Sequence, residues 1–243
     1  TSVYVTQFAT VYVVESGGNS IKHFSREGVA LDSLGNQGFG NYQFDTPVDI
    51  DATNGLKIYV SDYNNRRIQL FDKRLQYLTS ITPRDGSGFL TYAPTQLAVN
   101  NMLELFFYNE ADQSIIKYNF QGELDMSFSA RLEDIGLPPV DLETIDDQLL
   151  IADAKNNVIH SLSANGQYRK FWGVSGQIKG LSVRKNQIWV ATDSFVHRFD
   201  DRGLREMRIA IDKNIEPVDI TVGEKNIFIL TREQLFKGKR LAN

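Results

Sequence analysis

The segment KIYVSDYNNRRIQLFD (57–72) sets the reading of the whole chain. It holds an apolar run at Ile58, Tyr59 and Val60, an acid at Asp62, a polar turn at 63–66 and a second run at Ile68, Leu70 and Phe71. That pattern is a β-hairpin. Its first strand returns as TVYVVE (10–15), ELFFYN (104–109), QLLIAD (148–153), QIWVAT (187–192) and NIFILT (226–231). The strands end at Glu15, Asp62, Asn109, Asp153, Thr192 and Thr231, spaced by 47, 47, 44, 39 and 39 residues. A period of this size, kept in phase, restricts the chain to a repeat architecture.

Two further markers hold the phase. Phe24, Phe71, Tyr118 and Leu162 each lie nine residues after the strand end, and Phe199 lies seven after. Four of these are followed at the fourth position by Gly28, Gly122, Gly166 and Gly203, where a tight turn needs positive φ. Ahead of the copies stand PVDI (47–50), PTQL (94–97), PVDL (139–142) and PVDI (217–220), while the fifth copy has IKGL (178–181) and the first only TSV (1–3). Each unit therefore reads as four strands: a (PVDID), b (KIYVSD), c (RIQLFD) and a polar outer strand d such as QYLTSI (76–81). Strand b is apolar throughout, as expected when both faces are covered. The predicted fold is all-β, one β-propeller domain over 1–243 with six blades at about 1–46, 47–93, 94–138, 139–177, 178–216 and 217–243. A β-sandwich with accidental regularity is the alternative.

Composition excludes several classes. A net charge of −4 argues against general nucleic-acid binding, which needs a basic face. The absence of cysteine removes disulfides, thiol catalysis and thiolate metal sites. No apolar run approaches the roughly 18 residues of a transmembrane helix, and TSVYVTQFATVYVVES alternates like a strand rather than a signal peptide.

PVDIDATNG-KIYVSDYNNRRIQLFDKR resembles an NHL repeat, whose pattern runs P-x-G-I-A-x-D and then Y-V-A-D-x-x-N-x-R-I-Q-x-F. Residues 47–75 match best, 148–166 and 10–28 moderately, and the last two copies weakly, for they lack the Asn-Arg turn. The resemblance implies a six-bladed propeller, NHL-like, acting as a protein-interaction scaffold. The residues themselves leave a gap: after Thr231 only strand c fits, so the last blade lacks one strand within this chain. Residues upstream of Thr1 are expected to supply it, or the open edge to pair with a partner.

Chemistry could sit where inner strands converge. Asp49, Asp141 and Asp219 occupy one register position of strand a and could together hold a hard cation such as Ca²⁺. The competing reading makes each Asp an acceptor of backbone N–H within its blade, with no cofactor. Asp62, Asp153 and Glu15 are read as acceptors for the b–c turn. Arg66 and Arg67 occur in the second copy only and could meet an acidic partner, stay solvated or bridge to the next blade. The loops 35–46 and 83–93 carry Phe39, Tyr42, Phe44, Phe89 and Tyr92. Phe44 is read as core, and Phe39, Tyr42, Phe89, Tyr92 and Arg66 as the binding surface. His23, His160 and His197 fall on different blades, and no Ser-His-Asp, HExxH or phosphate-loop motif is present.

The expected function is non-enzymatic: binding of a protein or peptide partner through the loop face, as a subunit of a larger assembly, with nucleic acid disfavoured. The alternative is a metal-dependent hydrolase or lyase of the six-bladed propeller type, with its site at the central channel. The degenerate repeats and absence of RNA-binding or RING-type elements point to a bacterial protein, periplasmic or otherwise extracytoplasmic.

Overall fold

The computed structural model describes every residue except 54, 83–91, 129, 131, 133, 134, 137 and 241–243. Six small antiparallel sheets account for the regular structure, with no helix among the described residues. The chain is a six-bladed β-propeller. No helix is long and apolar enough to cross a membrane.

Two compact units divide the chain, Thr1–Met126 and Ser127–Asn243. The first holds three sheets: β1 (Ser2–Val5), β2 (Val11–Glu15), β3 (Ser20–Phe24) and β4 (Ala30–Leu34); β5 (Pro47–Asp51), β6 (Lys57–Asp62), β7 (Arg67–Asp72) and β8 (Tyr77–Ile81); and β9 (Pro94–Val99), β10 (Leu105–Asn109) and β11 (Ser114–Tyr118). The second holds β12 (Asp141–Ile145), β13 (Gln148–Asp153), β14 (Val158–Ser163) and β15 (Tyr168–Gly173); β16 (Ile178–Arg184), β17 (Gln187–Thr192), β18 (Phe195–Phe199) and β19 (Arg205–Ala210); and β20 (Asp219–Val222), β21 (Asn226–Leu230) and β22 (Leu235–Lys239). The sixth sheet has three strands, as the sequence implies. The third also has three, but an isolated bridge between Tyr118 and Leu124 stands where other blades begin strand d.

Burial follows strand rank. The b strands β6, β10, β13 and β17 are almost wholly buried, while β4, β15 and β19 are largely exposed. Within each unit the cores lie between neighbouring sheets. Val14, Ile21, Phe44, Ile58 and Phe71 fill the space between the first two sheets. Tyr59, Ile68, Tyr92, Leu97 and Phe107 fill the next. In the second unit Leu150, Ile159, Leu181 and Val190 pack between the fourth and fifth sheets, and Trp189, Ile220 and Val222 between the fifth and sixth.

Two irregularities recur. Strand a carries one extra residue in β5, β9 and β16, a bulge that lifts side chains out of the ladder. Strand d carries one extra residue opposite His23/Phe24, Leu70/Phe71, Ser161/Leu162 and Arg198/Phe199. The turn that follows strand c is built alike in five blades. Ser25, Asp72, Asn119, Ser163 and Asp200 each accept two backbone N–H bonds on a side-chain oxygen, and their carbonyls accept from Gly28, Leu75, Gly122, Gly166 and Gly203.

Candidate recognition surface

The loop 35–44 is held by side chains of Asn65, Arg67 and Gln69. Its anchor is Asp62, buried at the end of β6. Asp62 Oδ1 accepts from Asp45 N at 2.8 Å, and Oδ2 from Asn65 Nδ2 at 2.9 Å and Arg67 Nε at 2.8 Å. Burial pushes this carboxyl above the ordinary range, against hydrogen bonds and an arginine charge that favour ionisation.

Arg67, only 4 % exposed, then turns its fork on the loop. Nη1 donates to Phe39 O, and Nη2 to Gly40 O and Gln43 O, each at 2.9 Å. Asn65 adds a bond to Gly38 O and Gln69 one to Gln43 O. The loop also bonds to itself, Phe44 N to Asn36 O and Gly38 N to Phe44 O. Gly35, at φ +116°, lets the chain press so close that a Cβ would lie 2.5 Å from Asn19 O and 2.8 Å from the Phe44 ring. Lysine could not replace Arg67, because a point charge lacks the planar fork that satisfies three carbonyls.

This frame displays two aromatics. Phe39 is 69 % exposed, with its ring over the Arg67 guanidinium at 4.8 Å. Tyr42 is 42 % exposed; its hydroxyl accepts from Tyr77 N at 3.2 Å, and its ring leans on Phe71 and Tyr77. Arg66 is exposed, at φ +54° in the b–c turn, between Asn65 and Arg67, which both bond to the loop.

Tyr92 does not belong to this surface. The expectation that it faces solvent is corrected: it is 1 % exposed, edge-on to Phe107, with its hydroxyl donating to Tyr118 Oη at 3.2 Å. The reason is register. Ala93 N bonds to Asn109 Oδ1 just as Asp45 N bonds to Asp62, so Tyr92 occupies the position of Phe44, which is fully buried as expected. Ile135, ahead of Gly136 N bonded to Asp153, is the third case and is also buried. Phe89 lies outside the described residues.

The three strand-a acids each meet backbone. Asp49 accepts from Ser2 Oγ at 2.6 Å and from Ile50 N and Leu97 N at 2.8 Å, so it ties three neighbouring strands a together. Asp141 accepts from Leu181 N at 2.7 Å and Asp219 from Ile220 N at 2.7 Å. The fifth blade has Gly180 there because Asp219 and Ile220 N, 2.9 Å from a would-be Cβ, fill the space. Among the described residues no three His, Cys, Asp or Glu gather as a metal ion requires.

The histidines stay on their own blades. His23 stacks on Tyr12, and His197 Nε2 donates to Ser175 O; burial lowers the pKa of both. His160 bonds to Asp153 and Tyr168. Burial alone would raise Asp153, but bonds from Asn156, Gly136 and His160 outweigh it and hold its pKa below the ordinary value. Partnering at the seventh residue recurs as Glu15–Lys22, Asp62–Gln69 and Asp153–His160, a spacing visible in the sequence.

No family model matches the chain, and no curated protein does. Solved structures do. A streptogramin B lyase superimposes at TM-score 0.68 and 14 % identity, covering 100 % of this chain and 83 % of that one. A catalytically inactive virginiamycin B lyase variant from Staphylococcus aureus, solved with quinupristin, matches at TM-score 0.67 and 14 % identity, over 97 % and 82 % of the two chains. A chain of a nidogen/laminin complex matches at TM-score 0.70 and 17 % identity, over 90 % and 83 %. What these likenesses share with the chain is the fold. They include a lyase and a protein-binding domain, so fold alone does not choose between the two functions.

Proposed function

We propose that the chain is an NHL-like interaction scaffold that binds a protein or peptide partner through the loop 35–44, with Phe39, Tyr42 and Arg66 as the contact residues. The observation that carries this reading is the Arg67 fork on three loop carbonyls. A buried cation that holds a loop carrying a mostly exposed phenylalanine serves presentation. Rigid aromatics offer contact area at low entropic cost, and a preformed loop avoids the ordering penalty of binding. The nidogen/laminin likeness supports the same class of function.

The test is selection of peptides from a displayed library against the immobilised chain. Selected peptides should bind Phe39→Ala at least tenfold more weakly, as expected for an exposed aromatic anchor. Phe171→Ala, which removes a 64 % exposed ring elsewhere, should leave binding unchanged. Equal affinity for wild type and Phe39→Ala would remove the loop from the account. The enzyme alternative draws on the lyase likeness; it predicts that a bound divalent cation survives purification and involves Asp49, Asp141 and Asp219.

A further inference from the structure

In the second unit two arginines flank one tryptophan, and a third lies close enough for its charge to act on one of them. Trp189 on β17 is fully buried. Arg198 faces it across the β17–β18 ladder, and its guanidinium carbon lies 5.6 Å from the ring centre. Arg240, just beyond β22, places its own guanidinium carbon 5.6 Å from the same ring and donates Nη2 to Gln187 Oε1 at 2.8 Å. Arg184 ends β16 directly across the ladder from Gln187. Burial first, then the charges of Arg198 and Arg184, lower the pKa of Arg240.

Two carboxylates, Glu206 and Glu224, stand near these three charges and offset them only in part. Glu206 Oε2 is 3.0 Å from Arg198 Nε, but off the donor direction, so that Nε makes no hydrogen bond. The buried Nε of Arg184 makes none either. Glu224 pairs with Lys185 at 2.9 Å, and its charge also acts on Arg184 and Arg240. Among the described residues, Arg184 and Arg240 have no carboxylate at ion-pair distance. Three like charges held together repel, and the more so where water is partly excluded. An oxyanion relieves that repulsion, and guanidinium forks fit its oxygens in pairs.

We propose that Arg184, Arg198 and Arg240 form a binding site for a phosphate group on the second unit. The site uses the buried Nε–H groups of Arg184 and Arg198, which no internal acceptor satisfies, beside Arg240, which bonds to Gln187 Oε1 and Gly223 O, with the Trp189 ring against the guanidinium groups of Arg198 and Arg240. It is separate from the loop 35–44, and neither reading depends on the other.

Trp189 supplies the readout. The chain has two tryptophans, so a Trp172→Phe background leaves Trp189 as the sole emitter. That protein is titrated with inorganic phosphate and, separately, with phenyl phosphate, at constant ionic strength set by chloride. The expected result is a saturable change in emission whose midpoint rises at least tenfold in Arg240→Gln and stays put in Lys213→Gln, an exposed control of equal charge. If Arg240→Gln does not fold, Arg184→Gln carries the same expectation. Phenyl phosphate binding as tightly as inorganic phosphate assigns the site to a phosphate monoester; inorganic phosphate alone assigns it to the free ion. No saturable response in the parent, or an unshifted midpoint in the arginine variants, overturns the proposal.

Discussion

Asp49 and Asp51 stand two residues apart on β5, and both are buried. Each uses its carboxylate to hold the neighbouring strand a: Asp49 takes Leu97 N, and Asp51 takes Val99 N while also capping Thr53 N. Burial is the larger force on Asp51 and pushes its pKa up to about 6, against those bonds and with a further push from the Asp49 charge. The native state therefore keeps a proton that the unfolded chain gives up near pH 4. Its contribution to stability is fully present below about pH 4 and is lost as pH rises to about 6, a change on the order of 3 kcal/mol at about 1.4 kcal/mol per pKa unit. Asp51→Asn should flatten that limb, and denaturant melts at pH 4, 5, 6 and 7 would show it. A wild-type and variant difference constant across that range would refute the assignment. Asp49 bears on the metal question at the same scale. Its oxygens already accept from Ser2, Ile50 and Leu97, so treatment with a chelator should leave the melting temperature unchanged. A drop of several degrees would support the cation reading.

At the scale of the element, the c–d turn is the most regular device in the chain. Gly28, Gly122, Gly166 and Gly203 all take φ between +78° and +90° there, and in the second blade Leu75 adopts φ +59° at the same place. Leucine tolerates the strained backbone because its side chain is buried beside Phe71 and Ile58. Two alanine substitutions separate backbone cost from packing cost. Gly28→Ala meets open space, so it should lose only the backbone term of about 1 kcal/mol. Gly203→Ala would also place its Cβ 2.6 Å from the Trp172 ring and should destabilise more, by roughly 2–4 kcal/mol in denaturant melts. Equal effects would mean the Trp172 contact yields freely. These turns also mark how far the sequence could be read. Period, strand order, turn glycines and the short last sheet were legible, because each is written in local chemistry. The candidate site was legible in part. Phe39, Tyr42 and Arg66 are exposed as expected, but Tyr92 is not, because its inward turn depends on a bond between Ala93 N and Asn109, far away in sequence. Arg67 was equally hidden. Nothing in a run of two arginines says that the first faces water and the second clasps a loop 24–28 residues earlier.

Taken whole, the molecule repeats one blade but varies its ends. In the first unit the a–b turns present Phe8, Leu56 and Met102 to solvent. In the second the equivalent turns carry Asp146 and Asp147, Lys185 and Asn186, and Glu224 and Lys225. The braced loop 35–44 belongs to the first unit and the arginine cluster to the second, so one repeated frame supports two unlike surfaces. The proposed recognition surface requires a preformed loop. Amide hydrogen exchange tests it directly, through Gly38, Gln43 and Phe44, whose N–H groups bond within the loop. In the free wild-type chain these amides should exchange at least a hundredfold more slowly than an open coil, and Arg67→Lys should abolish most of that protection while the β13 and β17 amides keep theirs. Coil-like exchange of the three amides in the wild type would contradict the account.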